Sequence, residues 1–162
     1  MKYAIIYVFI LTLANLLVGY YGPWFSIINA FVLIGLDFVL RDKIHDLWAG
    51  KWLPIKMGCL ILISGLISYI LNEATENIAI ASVVAFCLSM IADSIAYHYL
   101  SNHNWHIKSN GSNIVGSLVD SIAFPTIAFG SLMPMIILLQ FAAKVSGGLI
   151  WSVLLNKGIK ND

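Results

Sequence analysis

The chain has 162 residues, 60% of them hydrophobic and 10% charged, where an ordinary soluble domain carries about 25% charged residues. So few charges cannot coat a globule of this length, and a mean hydropathy of +0.88 makes lipid the expected solvent for most of the surface. The net charge of +1 leaves no broad basic face to recruit nucleic acid.

A membrane-crossing helix needs about 20 mostly apolar residues, and six runs approach that length. The first covers roughly 3–20. Lys2 ahead of it could suggest a secretory signal, but no small-x-small cleavage site follows and five more apolar runs do. A first membrane helix is the expectation. Gly22-Pro23 then breaks the chain before a second span at 25–41. From Asp42 to Pro54 the second helix can continue and then run along the interface, a depth that suits Trp48 and Trp52. The third span covers 56–72 and ends at the polar stretch Asn72–Asn77, and the fourth covers 78–98. A longer polar loop, Ser101–Gly111, precedes the fifth span at 112–130, and Gly130–Pro134 is a tight turn before the sixth at 133–156. Cys59 and Cys87 sit inside apolar runs and are expected to be buried small side chains without a disulfide role. The expected fold is an all-α membrane protein, one six-helix transmembrane bundle occupying 1–162 with no separable second domain.

Loop charge fixes an expected orientation. With the N-terminus in the cytoplasm, the inner segments hold Lys2, Arg41, Lys43, Lys51, Lys56, Lys108, Lys157 and Lys160, eight of the nine basic residues. The outer loops hold none, and one carries Glu73 and Glu76. This positive-inside pattern predicts both termini on the cytoplasmic side of a cell or inner membrane.

Ionisable residues near a helix centre cost about 2.5–3.5 kcal/mol each on insertion scales and mark function. Asp37, Asp93, Asp120 and Lys144 fall within spans. By their position, Asp120 and Lys144 lie near mid-depth, and the two are expected to approach each other, directly or through a substrate or water, either as part of a site or as an ion pair that only fixes helix packing. Asp37 and Asp93 lie nearer the cytoplasmic third. Asn113, Gly116, Asp120 and Phe124 recur at helical spacing, as do Ser89, Asp93 and Tyr97, and Gln140, Lys144 and Gly148. Together with Asn15 these faces can enclose one polar chamber. Gly116 and Gly147-Gly148 allow close helix approach, and Pro125 is expected to bend or break the fifth helix. Asp37 and Arg41 are four apart and can pair along one helix, with Asp42 beside them at the cytoplasmic end. His98, His103 and His106 form no recognisable ligand spacing and read as solvated loop residues, so no metal and no cofactor are expected. A weak internal echo, ADSIAY at 92–97 and VDSIAF at 119–124, fits either an inverted repeat or chance. The chain has no GxxxxGK[ST], GxSxG or HExxH motif and no GxGD around its aspartates, so nucleotide hydrolysis by that route and protease chemistry are not expected.

These residues resemble the VUT family, the vitamin-uptake or queuosine-precursor transporters, and its short members in particular. The matching blocks are Ala14-Asn15, GLDFVLRDKIHDLW at 35–48, AFCLSMIADSIAY at 85–97 and SNIVGSLVDSIAFPTIAFG at 112–130, with Gln140 and Lys144 in the last span. The chain departs from longer members at His45–Trp48 and from many short ones at Met90. The resemblance implies a six-helix importer of 7-cyano-7-deazaguanine or a related 7-deazapurine. On that reading Asp120, then Asp93, would accept the paired N–H and NH2 of a guanine-like edge. Asn113, Asn15 and Gln140 would read its other polar edges, Phe124 or Tyr97 would stack on the ring, and Lys144 would donate to its carbonyl. Asp37, Arg41 and Asp42 would serve the cytoplasmic side.

Two other readings remain open. A substrate-binding subunit of an energy-coupling-factor transporter has similar size, though the first span lacks the small-residue patch such subunits use. A non-transport scaffold rarely needs four ionisable residues within spans. The expected partners are a nucleobase-like small molecule and the bilayer, with room for a homodimer because six helices in 162 residues leave little lipid-buried bulk.

Overall fold

The computed structural model describes residues 2–48, 52–100, 102 and 105–159. Of the residues singled out above, Lys51, His103 and Lys160 lie outside these. The side chains of Arg41, Asp42, His45, Asp46, Tyr97, His106, Lys108 and Lys157 lie outside the description as well. The described residues are almost entirely helical and contain no strand.

Helix α1 spans Lys2–Tyr21. It ends where Gly22 adopts φ 80°, a left-handed conformation that only glycine takes without strain. The Gly22 amide caps the Val18 carbonyl at 2.9 Å. Pro23 follows, and the chain re-enters a helix at once. That second rod is composite. It runs as α2 (Phe25–Asn29), a five-residue π segment (Ala30–Ile34) and α3 (Gly35–Trp48). The second helix therefore continues well past residue 41, taking up the first half of the interfacial stretch.

Helix α4 covers Leu53–Leu71 with proline in its first turn, where a missing N–H costs nothing. It stops at Asn72, whose side chain accepts from the Ala74 amide at 3.1 Å. Thr75 is fully buried there and donates to the Ser68 and Asn72 carbonyls at 3.0 and 2.7 Å. Helix α5 spans Glu76–Tyr99 and α6 spans Trp105–Phe129. Much of the stretch expected to be a loop before residue 111 is thus the first turns of α6. Helix α6 runs unbroken through Pro125, where a bend or a break was expected. The ring is fully buried, and Thr126 donates its hydroxyl to the Ile122 carbonyl at 2.6 Å. Gly130 at φ 67° then reverses the chain into α7, Pro134–Ile159.

Four helical stretches among the described residues are long and apolar enough to cross a membrane: Lys2–Tyr21, Glu73–Asp93, Gly111–Phe129 and Pro134–Trp151. Phe25–Asp37 and Ile55–Leu71 are shorter apolar helices. Their outward faces carry Phe9, Leu66, Ile70, Leu138 and Leu149, all more than half exposed. A water-soluble surface does not tolerate so continuous an apolar coat. Cys59 and Cys87 also stand exposed on this coat, where burial within the bundle was expected. Apolar surroundings in the sequence did not distinguish a lipid-facing helix side from an inward one.

Inside, α5 packs most extensively on α6, α1 on α4, and α3 with the π segment on α7. Tyr7 and Ile10 of α1, Leu40 and Ile44 of α3, and Met57 and Ile61 of α4 form one buried cluster. Val18, Ile78, Ala81 and Ala128 form another near the opposite ends of their helices. The crossing of α7 on the second rod is the closest. A Cβ at Gly147 would collide with the Phe31 carbonyl oxygen, and one at Gly35 would come within 2.7 Å of the Gly147 backbone. Trp151 donates its indole N–H to the Val32 carbonyl in the π segment at 3.0 Å.

Candidate functional site

A cavity of about 80 Å³ lies between the two clusters, walled by α1, the second rod, α4, α5, α6 and α7. That is room for several water molecules, since each needs roughly 10–15 Å³ on this measure. The depth of its groups follows from counting residues. Asp120 lies nine residues before the end of α6 and Lys144 ten residues after the start of α7. At about 1.5 Å per residue, both sit roughly 15 Å from the shared turn, mid-depth in a hydrocarbon core of about 30 Å.

They meet there. The Lys144 ammonium donates to Asp120 Oδ2 at 2.5 Å and to Ser121 Oγ at 3.2 Å. Lys144 is 3% exposed and Asp120 22%, so the carboxylate keeps a face open to the cavity. The approach expected from the sequence is present. A carboxylate already held by an ammonium does not offer both oxygens freely, so full bidentate acceptance by Asp120 requires Lys144 to let go.

Three side-chain amides line the same cavity, and their bonding differs. Asn15 is engaged at both ends. Its Oδ1 accepts from Ser82 Oγ at 2.6 Å, and its Nδ2 donates to Ser68 Oγ at 3.3 Å. It therefore ties α1 to α4 and α5. Asn29 donates through Nδ2 to the Ala14 carbonyl at 3.1 Å. Gln140 donates through Nε2 to Ser26 Oγ at 2.6 Å, and Ser26 in turn donates to the Pro23 carbonyl. The remaining oxygens, Asn29 Oδ1 and Gln140 Oε1, are buried without a partner among the described residues.

Asn15, Asp37, Asp120, Phe124, Gln140 and Lys144 thus share one chamber, with Ser89 and Phe86 of α5. Asp37 is buried, eight residues beyond Asn29 and toward the other end of the second rod. Asp93 lies outside the chamber wall, half-buried in the α5–α6 seam, where Gly116 lets α6 come close. Asn113 does not reach the chamber. It is exposed on α6, because that helix turns Gly116 and Ser117 toward its neighbours. Tyr97, Arg41 and Asp42 belong to the side chains outside the description. Ser26 and Asn29 went unrecognised in the sequence, although two polar residues three apart inside an apolar span were a usable signal.

Residues 3–155 match the model of the family described as "Putative vitamin uptake transporter". The chain belongs to this vitamin uptake transporter family. No curated protein and no solved structure matches the chain significantly. The family and the apolar helices together make it a multi-pass membrane transporter.

Proposed function

We propose that this transporter imports 7-cyano-7-deazaguanine or a related 7-deazapurine base by alternating access. It would do so as a six-span bundle with both termini in the cytoplasm. The observation that carries the reading is the buried Lys144–Asp120 pair at mid-depth in the wall of a largely apolar cavity with a few polar groups. Buried charge in a bundle interior is costly and is retained where it handles a cargo.

The two shorter apolar helices supply the second and third crossings. A base entering the chamber would lay a ring face on Phe124, which lines the cavity beside Asp120. Such stacking is worth roughly 1–3 kcal/mol by analogy with base–aromatic contacts. The ammonium of Lys144 is a ready donor for an exocyclic carbonyl. Asp120, partly open to the cavity, would hold the site neutral when it is empty and could take an N–H as Lys144 shifts.

Uptake of labelled 7-cyano-7-deazaguanine into cells that cannot make it tests this directly. Expression of the chain should confer uptake, and Asp120→Asn should remove most of it at equal protein level. Absence of uptake with the unaltered chain overturns the substrate assignment.

A further inference from the structure

We propose that Asn29 and Gln140 form a paired acceptor that receives two neighbouring N–H donors on one edge of the transported molecule. The proposal rests on the reading that this cavity is the substrate site.

Amide orientation is often ambiguous, but both are fixed here by chemistry. The Asn29 Nδ2 faces the Ala14 carbonyl, which can only accept. Its Oδ1 must therefore point the other way. Ser26 has a single hydroxyl proton and commits it to the Pro23 carbonyl. Its oxygen can then only accept, so Gln140 must present its NH2 to Ser26 and turn Oε1 away. Both oxygens are left buried and unpartnered among the described residues, on side chains 5% and 1% exposed.

A buried acceptor without a donor is costly and uncommon, and native structures keep one where something else completes it. Among the described residues Asp93 Oδ1 is another, outside the chamber in the α5–α6 seam, whereas Asn29 and Gln140 place two in the wall of one cavity. Ser26 and Asn29 are three apart on one helix, hence on one face, and Gln140 is bonded to Ser26. Asn15 provides the contrast within the same cavity. Its amide is satisfied at both ends, so the orphaned oxygens do not reflect loose packing.

Two neutral acceptors in the wall of one cavity, on residues joined through Ser26, would select an uncharged heterocycle with a ring N–H next to an amino group. They repel a carboxylate and gain nothing from a carbonyl edge. The donor pair thereby falls to Asn29 and to Gln140, which lies one helical turn before Lys144 on α7, and the carbonyl next to that ring N–H would fall to the ammonium as it loosens from Asp120.

The test is binding to the purified full chain in detergent, read from ligand-induced shifts in thermal unfolding. Two matched pairs of probes are compared: 7-cyano-7-deazaguanine against its counterpart without the 2-amino group, and 2-aminobenzimidazole against benzimidazole. The two-donor member of a pair should bind about 10- to 100-fold more tightly, the loss expected when a buried acceptor goes unpaired. The preference should largely vanish in Gln140→Met and in Asn29→Leu. The melting temperature without ligand shows that each variant is folded. No preference in either pair, or a preference undiminished in Gln140→Met, overturns the paired acceptor. Binding of 7-cyano-7-deazaguanine regardless of its amino group would remove the acceptor pair and leave the substrate assignment standing. A preference in the benzimidazole pair with no binding of 7-cyano-7-deazaguanine at all would do the reverse.

Discussion

At the residue scale, the Lys144–Asp120 pair is both a stability element and an obstacle. Inside the bundle, each charge depends on the other for solvation. Removing one partner leaves an uncompensated buried charge, which costs about 3–5 kcal/mol. Lys144→Met should therefore lower thermal stability in detergent sharply. The double variant Asp120→Asn/Lys144→Met should recover most of that loss, because neither charge remains, and yet stay inactive in uptake. Recovery of uptake in the double variant would reduce the pair to a packing device. The pair itself was legible from two ionisable residues placed equally far from one turn. The amides were less legible. Nothing in the sequence distinguishes Asn15, locked at both ends by serines from α4 and α5, from Asn29, which keeps an oxygen open. That difference depends on where the partner hydroxyls spend their own protons.

At the scale of the elements, the second rod is the least regular, and it packs backbone to backbone on α7 at Gly35 and Gly147. Its π segment lies between Asn29 and Asp37, two cavity residues eight positions apart. In an uninterrupted α-helix they would be about 80° apart around the axis, and one additional residue absorbed by a π turn brings them within about 20°. Helix α7 seals the outside of the same segment through Gly147 and Trp151. Gly147→Val should force the two backbones apart and cost about 1–3 kcal/mol as an overpacked contact. Thermal unfolding checks this, with Gly58→Val as the comparison, because a side chain at Gly58 meets open space. The close approach at Gly147-Gly148 was readable from the glycines. The π segment was not, because its residues, AFVLI, are as apolar as any α-helical span. Loop boundaries before α6 were misjudged for a related reason: polar residues at a helix end look the same in sequence whether or not the helix has begun.

For the whole molecule, composition and the spacing of turns made the helical membrane character legible, and loop charge suggested its orientation. A single cysteine at Glu73 should react with a membrane-impermeant maleimide from outside intact cells. One at Asn102 should react only after permeabilisation. Both residues are exposed, so a reversed labelling pattern would invert the topology. The native cysteines, Cys59 and Cys87, face the apolar coat, where a membrane-impermeant reagent does not reach, so background labelling should be low.

The pairing of one ammonium with one carboxylate has an electrical consequence. The two charges cancel, and an uncharged base adds none. Moving one elementary charge across a membrane responds to voltage by about 2.3 kcal/mol per 100 mV, so the Lys144–Asp120 pair itself adds no charge that must work against that field when the chamber turns from one side to the other. Initial uptake into proteoliposomes should be the same under inside-negative and inside-positive potassium diffusion potentials. A strong dependence on the sign would mean that a further charge moves with the cargo, either Asp37 of the chamber wall or an accompanying ion.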